Sequence, residues 1–259
     1  MLHTTTLGAI MKFLLAIILI TNAFAGEKID HILAKVQNQR AQIVIFDLDD
    51  TLFSSSSRTK IIFKEFLENS QVLNTYPNES KKLNMIQEDQ IQYSIEETIK
   101  NAGINNKNFT RNLLKFWKQR FFENKYVKKD SPILGGKEFV NKLFKKGAQI
   151  LYLTGRDHSM REGTIESLKD SGFPINNKNA ILITKPKFET PDLEYKKEAF
   201  QMISQMGHVI AFFENEPKNL NALIDFFGND TDAVFLNTKH SPSDVTPYEN
   251  TTSIKNYLD

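Results

Sequence analysis

The sequence predicts an α/β fold: an open parallel sheet between two helical layers, interrupted by a helical insertion. Three observations point there. Five short apolar runs are hydrophobic continuously rather than alternately, as strands covered on both faces are. Helix-period stretches lie between them and end at glycines, and strand–helix–strand repetition makes a parallel sheet. A polar stretch from 56 to about 128 breaks this rhythm with helical spacing and no convincing strand.

In chain order, the first 25 residues differ from the rest. Met11-Lys12 precedes the apolar run Phe13–Ile20, and small residues follow up to Ala23-Phe24-Ala25. A positive start, a short apolar stretch and an A-x-A arrangement predict a secretory leader cleaved after Ala25. Phe13 to Ala25 is shorter than the ~20 apolar residues of a membrane span, so export to the periplasm or medium is expected, without a stable membrane anchor.

The first predicted strand is Gln42–Phe46. After it the chain enters residues 56–128, rich in Lys, Asn, Gln and Glu, through a Ser54–Ser57 joint expected to be flexible. Its apolar residues (Ile61, Ile62, Phe66; Leu113, Leu114, Trp117, Phe121, Phe122) recur at helical spacing and are expected to form the insertion's own core. Asp130-Ser131-Pro132 reads as the return to the sheet. The core is then 26–55 and 129–259. Strands are predicted at Gln149–Leu153, Ala180–Ile183, Val209–Phe213 and Ala233–Leu236, with helices ending at Gly147, Gly172 and Gly207.

Composition narrows the function. With 33 basic and 31 acidic residues spread along the chain, nothing resembles a nucleic-acid arm. The absence of Cys excludes disulfides, thiolate metal sites, Cys nucleophiles and an anchor on an N-terminal Cys.

Ligands of open α/β sheets bind beyond the carboxyl ends of the strands, so polar residues there carry the chemistry. Asp47 and Asp49 follow the first strand two residues apart, on one side while the chain is extended. Such close carboxylates suit a shared Mg2+, or a division into charged nucleophile and protonated acid; a carboxylate-rich turn would look similar. Thr154-Gly155-Arg156-Asp157 offers a hydroxyl and a close backbone approach for phosphate, though an ordinary strand-to-helix turn reads the same. Glu214-Asn215-Glu216 places oxygens suited to a hard cation at a later strand end. Tyr195-Lys196-Lys197 opens a helix with a cation for a phosphate oxygen.

Their order, D-x-D-x-T in Ile45–Leu52, then T-G-R, then Lys, then the late acid, resembles the haloacid dehalogenase (HAD) superfamily over Gln42 to Leu236. The resemblance implies a Rossmann-like three-layer sandwich with the insertion as a mainly helical cap. It implies a Mg2+-dependent phosphatase of small phosphomonoesters, with Asp47 as nucleophile and Asp49 as general acid/base. Thr154, Gly155 and Lys196 (less well Lys197 or Lys185) would hold the phosphate. Mg2+ would be held by Asp47, the Asp49 carbonyl and Glu214. The dehalogenase branch lacks the second Asp. The motif-four position usually carries Asp; Glu214 is one methylene longer, so it reaches a metal only if the backbone sits back, or else through water. Neutral Asn215 lowers the site's charge, and Asn219 is an outer hydrogen-bonding candidate. The lack of Cys and this acid pattern separate the chain from the superfamily's lipid-anchored acid phosphatases. A phosphotransferase or a non-catalytic binding protein on the same scaffold are the alternatives. His158 is expected to be exposed in its turn rather than to act as an acid, and Trp117 to serve packing rather than to contact substrate from the cap.

Overall fold

The computed structural model describes residues 26–37, 41–176 and 178–259; the leader predicted over 1–25 lies outside them. Among the described residues, no helix is long and apolar enough to cross a membrane.

Six strands form one parallel sheet: β1 (Gln42–Phe46), β4 (Gln149–Asp157), β5 (Ala180–Lys185), β6 (His208–Glu214), β7 (Asp232–Leu236) and β8 (Thr252–Ile254), in the order β5-β4-β1-β6-β7-β8. β1 is central because its residues are apolar on both faces. Val44 and Phe46 join Ile29, Phe139, Val140 and Leu143 in one core, while Ile43 and Ile45 join Phe200, Ile203, Leu220 and Leu223 in the other. This is the period-two alternation of a strand read from both sides at once. Stacking of Phe46 on Phe213, 4.6 Å apart, couples β1 to β6; burying each such ring contributes about 2–3 kcal/mol.

The helical layers are α1 (Glu27–Lys35), α8 (Gly136–Lys145) and α9 (Arg161–Asp170) on the first core, and α10 (Asp192–Met206) and α11 (Pro217–Phe227) on the second. Gly147 and Gly172 end α8 and α9 at φ 101° and 78°, conformations that favour glycine. α10 begins at Asp192, three residues before the predicted opening, because Pro191 occupies its cap and ends the preceding loop. Lys196 therefore lies in the second turn of α10 rather than at its start.

Between β1 and β4 the chain forms α2 (Ser56–Leu67), α3 (Ser70–Thr75), α4 (Pro77–Met85), α5 (Ile95–Asn101), α6 (Lys107–Phe121) and α7 (Asn124–Val127). These helices surround Phe63, Phe66, Leu83, Ile86, Ile91, Ile95, Ile99, Ile104, Phe109 and Leu113. Of the predicted stripe, Phe66 and Leu113 are in that core and Leu114 and Trp117 pack partly against it, but Ile61 is 37% exposed. Entry and exit are joined by a two-stranded antiparallel ladder, β2 (Phe53–Ser54) with β3 (Ser131–Pro132). The Ser54–Ser57 run is consequently ordered, not a flexible joint. Ser54 is in β2, α2 starts at Ser56, and Ser57 Oγ donates to the Lys129 carbonyl at 2.7 Å. Short hydroxyl side chains are suited to such local backbone bonds.

Candidate active site

The carboxyl ends of β1, β4 and β6 open into a cavity of about 420 Å³ walled on one side by the helical insertion. The strand order runs outward from β1 in both directions, to β4 and β5 on one side and to β6, β7 and β8 on the other, and this places the cavity at the sheet's switch point.

Asp47 continues β1 by one residue: its N–H donates to the Phe213 carbonyl at 3.0 Å. The chain then turns so tightly that the N–H groups of Thr51, Leu52 and Phe53 all reach the Leu48 carbonyl. Asp50 takes φ 55° there, a conformation Asp tolerates better than most side chains. The turn is tied to its neighbours by Thr51 Oγ1, which donates to Asn215 Oδ1 at 3.1 Å, by Thr238 Oγ1 donating to the Asp50 carbonyl, and by Tyr257 Oη donating to the Thr51 carbonyl at 3.2 Å.

Asp47 and Glu214 converge on one cation. Lys196 Nζ donates to Asp47 Oδ1 at 2.8 Å and to Glu214 Oε2 at 2.7 Å, all three side chains being almost fully buried. Burial, and then the negative charge of Glu214, push Asp47 well above the usual carboxylate range against the pull of Lys196. Burial raises Glu214 likewise. Lys196 is favoured as the ammonium because the two carboxylates outweigh its burial. Of the three candidate lysines it alone lies between the acids. Lys185 donates instead to Asp192 Oδ1 and the Phe188 carbonyl, and Lys197 is exposed.

Asp49 has the opposite surroundings. Arg156 Nε donates to its Oδ2 at 2.9 Å and Arg156 Nη2 to its Oδ1 at 2.8 Å, with Arg58 Nη2 at 3.1 Å. Burial works to raise this carboxyl, but the two guanidinium groups overcome it and hold Asp49 far below the usual range. The sequence suggests one charged and one protonated carboxyl; in the structure it is Asp49 whose environment holds the charge and Asp47 that burial favours as the neutral form.

Thr154 is buried, and its hydroxyl accepts from the Arg156 N–H at 3.2 Å, while Gly155 and Arg156 line the cavity. A Cβ on Gly155 would stand 2.5 Å from Asp192 Oδ2, so glycine lets that carboxylate lie against the strand. Asp157 caps the next turn, accepting from Ser159 N–H at 2.7 Å. His158 Nδ1 meets Thr184 Oγ1 at 2.7 Å, a contact with β5 rather than with the acids. Asn215 is engaged by Thr51 and by the Lys239 carbonyl; Asn219 lines the cavity. Trp117, Phe121 and Phe122 of the insertion and Phe188 of the core form an aromatic wall, Phe122 meeting Phe188 edge-on at 4.9 Å. Packing is thus only part of Trp117's place. Sequence reasoning missed Arg58, Lys239 and Thr51 as site residues; of these only Thr51 carried a signal, as the last letter of D-x-D-x-T.

Asp50, beside these groups, is pushed up to about 6 by burial against the Lys239 ammonium. A folded value above the unfolded one means ionisation costs stability, which is full below the unfolded value of 3.8 and is lost as pH rises through about 6. Asp50→Asn keeps the left-handed turn without the charge. In chelator-treated protein its stability, followed by thermal melts, should match wild type near pH 3 and exceed it at pH 7.5 by at most about 3 kcal/mol. A deficit that grows with pH would contradict this.

The sequence profile of HAD superfamily, subfamily IIIB (acid phosphatase), matches residues 63–232, and the chain belongs to the HAD superfamily. Within it the chain is a hydrolase of the acid phosphatase subfamily, acting on phosphoesters. The match covers Thr154, Lys196 and Glu214 and begins beyond Asp47–Thr51, whose placement the structure supplies. The fold is similar to that of a candidate phosphatase from Clostridium difficile (15% identity, TM-score 0.50, covering 79% of this chain and 89% of that one). It is equally similar to a HAD-superfamily hydrolase, subfamily IA, from Geobacter sulfurreducens (12% identity, TM-score 0.50, 84% and 93%). A class C acid phosphatase from Bacillus anthracis aligns with 18% identity and TM-score 0.43 over 81% and 63%. No curated protein matches the chain.

Proposed function

We propose that the protein hydrolyses small phosphomonoesters through an aspartyl-phosphate on Asp47, with Mg2+ as cofactor. The observation that carries this reading is the convergence of Asp47 and Glu214 on one buried point of positive charge. The donor set fits Mg2+: two buried carboxylates, raised by burial although Lys196 stands between them, offer hard oxygens to a divalent cation. Among the described residues no three acid or imidazole side chains gather as a metal cluster. Mg2+ suits such a site because it usually keeps several waters. Asp47, Glu214 and the Asp49 carbonyl would hold it, and when bound it supplies neutralisation of the phosphate and of Asp47.

A carboxylate oxygen of Asp47 bonds to phosphorus as the ester P–O bond breaks, and the departing oxygen takes its proton from Asp49. Water then attacks the same phosphorus, Asp49 receives its proton, and Asp47 is released as carboxylate. As paired in the structure, Asp49 is the base of the second half; acting as the acid requires its arginine contacts to lengthen. Lys196 and the N–H groups after Thr154 offset charge on the phosphoryl oxygens. The aromatic wall suits an organic leaving group with a flat face. Export of the protein is part of this reading, resting on the Lys12–Ala25 pattern.

Purified protein is expected to release phosphate from an aryl phosphate, to lose that activity with chelator and to regain it with Mg2+. Unchanged activity in chelator would remove the metal from the account. Phosphate release that depends on an added alcohol acceptor would mark a phosphotransferase instead.

A further inference from the structure

Four charged side chains from four separate places meet where the insertion joins the core. Arg58 comes from the first turn of α2, Asp130 from the exit of the insertion, Arg156 from the end of β4 and Asp49 from the β1 turn. Arg58 Nε donates to Asp130 Oδ1 at 2.7 Å and Nη2 to Asp130 Oδ2, while Nη1 donates to the Phe121 carbonyl at 2.8 Å. Arg156 Nη2 also reaches Asp130 Oδ2, at 2.7 Å. The Arg58 guanidinium lies 4.2 Å from the centre of the Phe121 ring. Side-chain exposure is 0% for Arg58 and Asp130 and 1% for Arg156, against 38% for Asp49.

The quartet is neutral in sum, two guanidinium groups against two carboxylates. Burying it brings little stability, since apolar residues of like volume serve a fold as well or better. What the four side chains provide is direction. Arg58 and Arg156 line the cavity as well, but Asp49 is the member most open to it, and both guanidinium groups are held between Asp49 and Asp130. Two fork-shaped donors at fixed angles leave Asp49 a single orientation. The same Arg58 also grips Phe121, part of the aromatic wall, so the wall and the acid/base are set by one side chain.

From this juxtaposition we infer that Arg58 and Asp130 are positioning residues, which aim Asp49 at the reacting phosphate, Arg58 by its own contact and Asp130 through the two arginines, and register the insertion's aromatic wall to it. The inference rests on the phosphatase reading above, in which Asp49 handles the proton.

Two variants test it, each with melting temperature, kcat and KM on an aryl phosphate with Mg2+, and calorimetric binding of inorganic phosphate. Arg58→Met with Asp130→Leu removes one charge of each sign and leaves Arg156 paired with Asp49. Arg58→Lys keeps the charge but cannot span Asp130, Asp49 and the Phe121 carbonyl together. Misaiming a reacting group costs roughly ten- to a hundredfold. The double variant should therefore fold and bind inorganic phosphate nearly as wild type does, with kcat lowered by about that factor. Arg58→Lys should lose kcat in the same direction but less. A folded variant of either kind with wild-type kcat and KM would overturn the proposal, as would failure of both to fold, which would make the quartet a structural element only. Wild-type protein that turns over no phosphomonoester would instead defeat the phosphatase reading, and this inference with it.

Discussion

Asp47→Asn is expected to abolish phosphate release, by roughly a thousandfold or more, while leaving the protein folded. The amide has the same shape, and its carbonyl can still accept from Lys196, so the contact at 2.8 Å has a replacement. It cannot bond to phosphorus as a carboxylate does. The change also removes a buried acid that burial, and then the charge of Glu214, push up, so the melting temperature in chelator should not fall and is expected to rise. The pairing of lost turnover with retained or increased stability distinguishes a nucleophile from a structural carboxylate. Asp47→Asn protein that still turns over at more than a few per cent of wild type would remove Asp47 from the chemistry.

Lys196→Met has the largest expected effect on stability. It takes the ammonium from between Asp47 and Glu214 and leaves two buried carboxyls facing one another. Breaking a buried pair from one side costs about 3–5 kcal/mol, or on the order of 10 °C in melting temperature for a chain of this size. The pH dependence has a definite sign. Both carboxyls are raised in the folded state, so the penalty belongs to their ionised forms. The deficit should be greatest at neutral to alkaline pH and shrink on acidification, as the carboxyls bind protons. Mg2+ should stabilise this variant in a saturable way by binding the folded form. A melting temperature unaffected by Mg2+ and equally low at every pH would mean that Lys196 serves packing alone.

These effects explain which parts of the molecule could be read from the sequence. β1, β4, β5, β6 and β7 were legible because strands buried on both faces are apolar at every position, as Ile43–Phe46 shows. β8 was not, since Thr252-Ser253-Ile254 is short and polar and is held by pairing with β7 and by the packing of Tyr257 against Phe46, Phe139 and Phe213. Asp47 and Glu214 were legible because residues at strand ends have a known direction to point in, and Lys196 because it lies in the early turns of a helix that follows a strand, even though their meeting spans 149 and 18 residues of chain. Arg58 and Asp130 sit at no strand end of the main sheet. One lies in a serine-rich stretch and the other before a proline turn, and only the folding of the insertion brings them together. The aromatic wall was half legible: the spacing of Trp117 and Phe121 shows a helix face, but not that its end turns toward the core's Phe188.

The central claim, that Asp47 accepts the phosphoryl group, is tested most directly by acid-quenching the enzyme during turnover of a radiolabelled phosphomonoester. The label should appear on the peptide containing Asp47 as an acyl phosphate, and borohydride should convert that residue to homoserine. Label on a histidine or on another peptide, or turnover with no labelled protein at any time point, would contradict it.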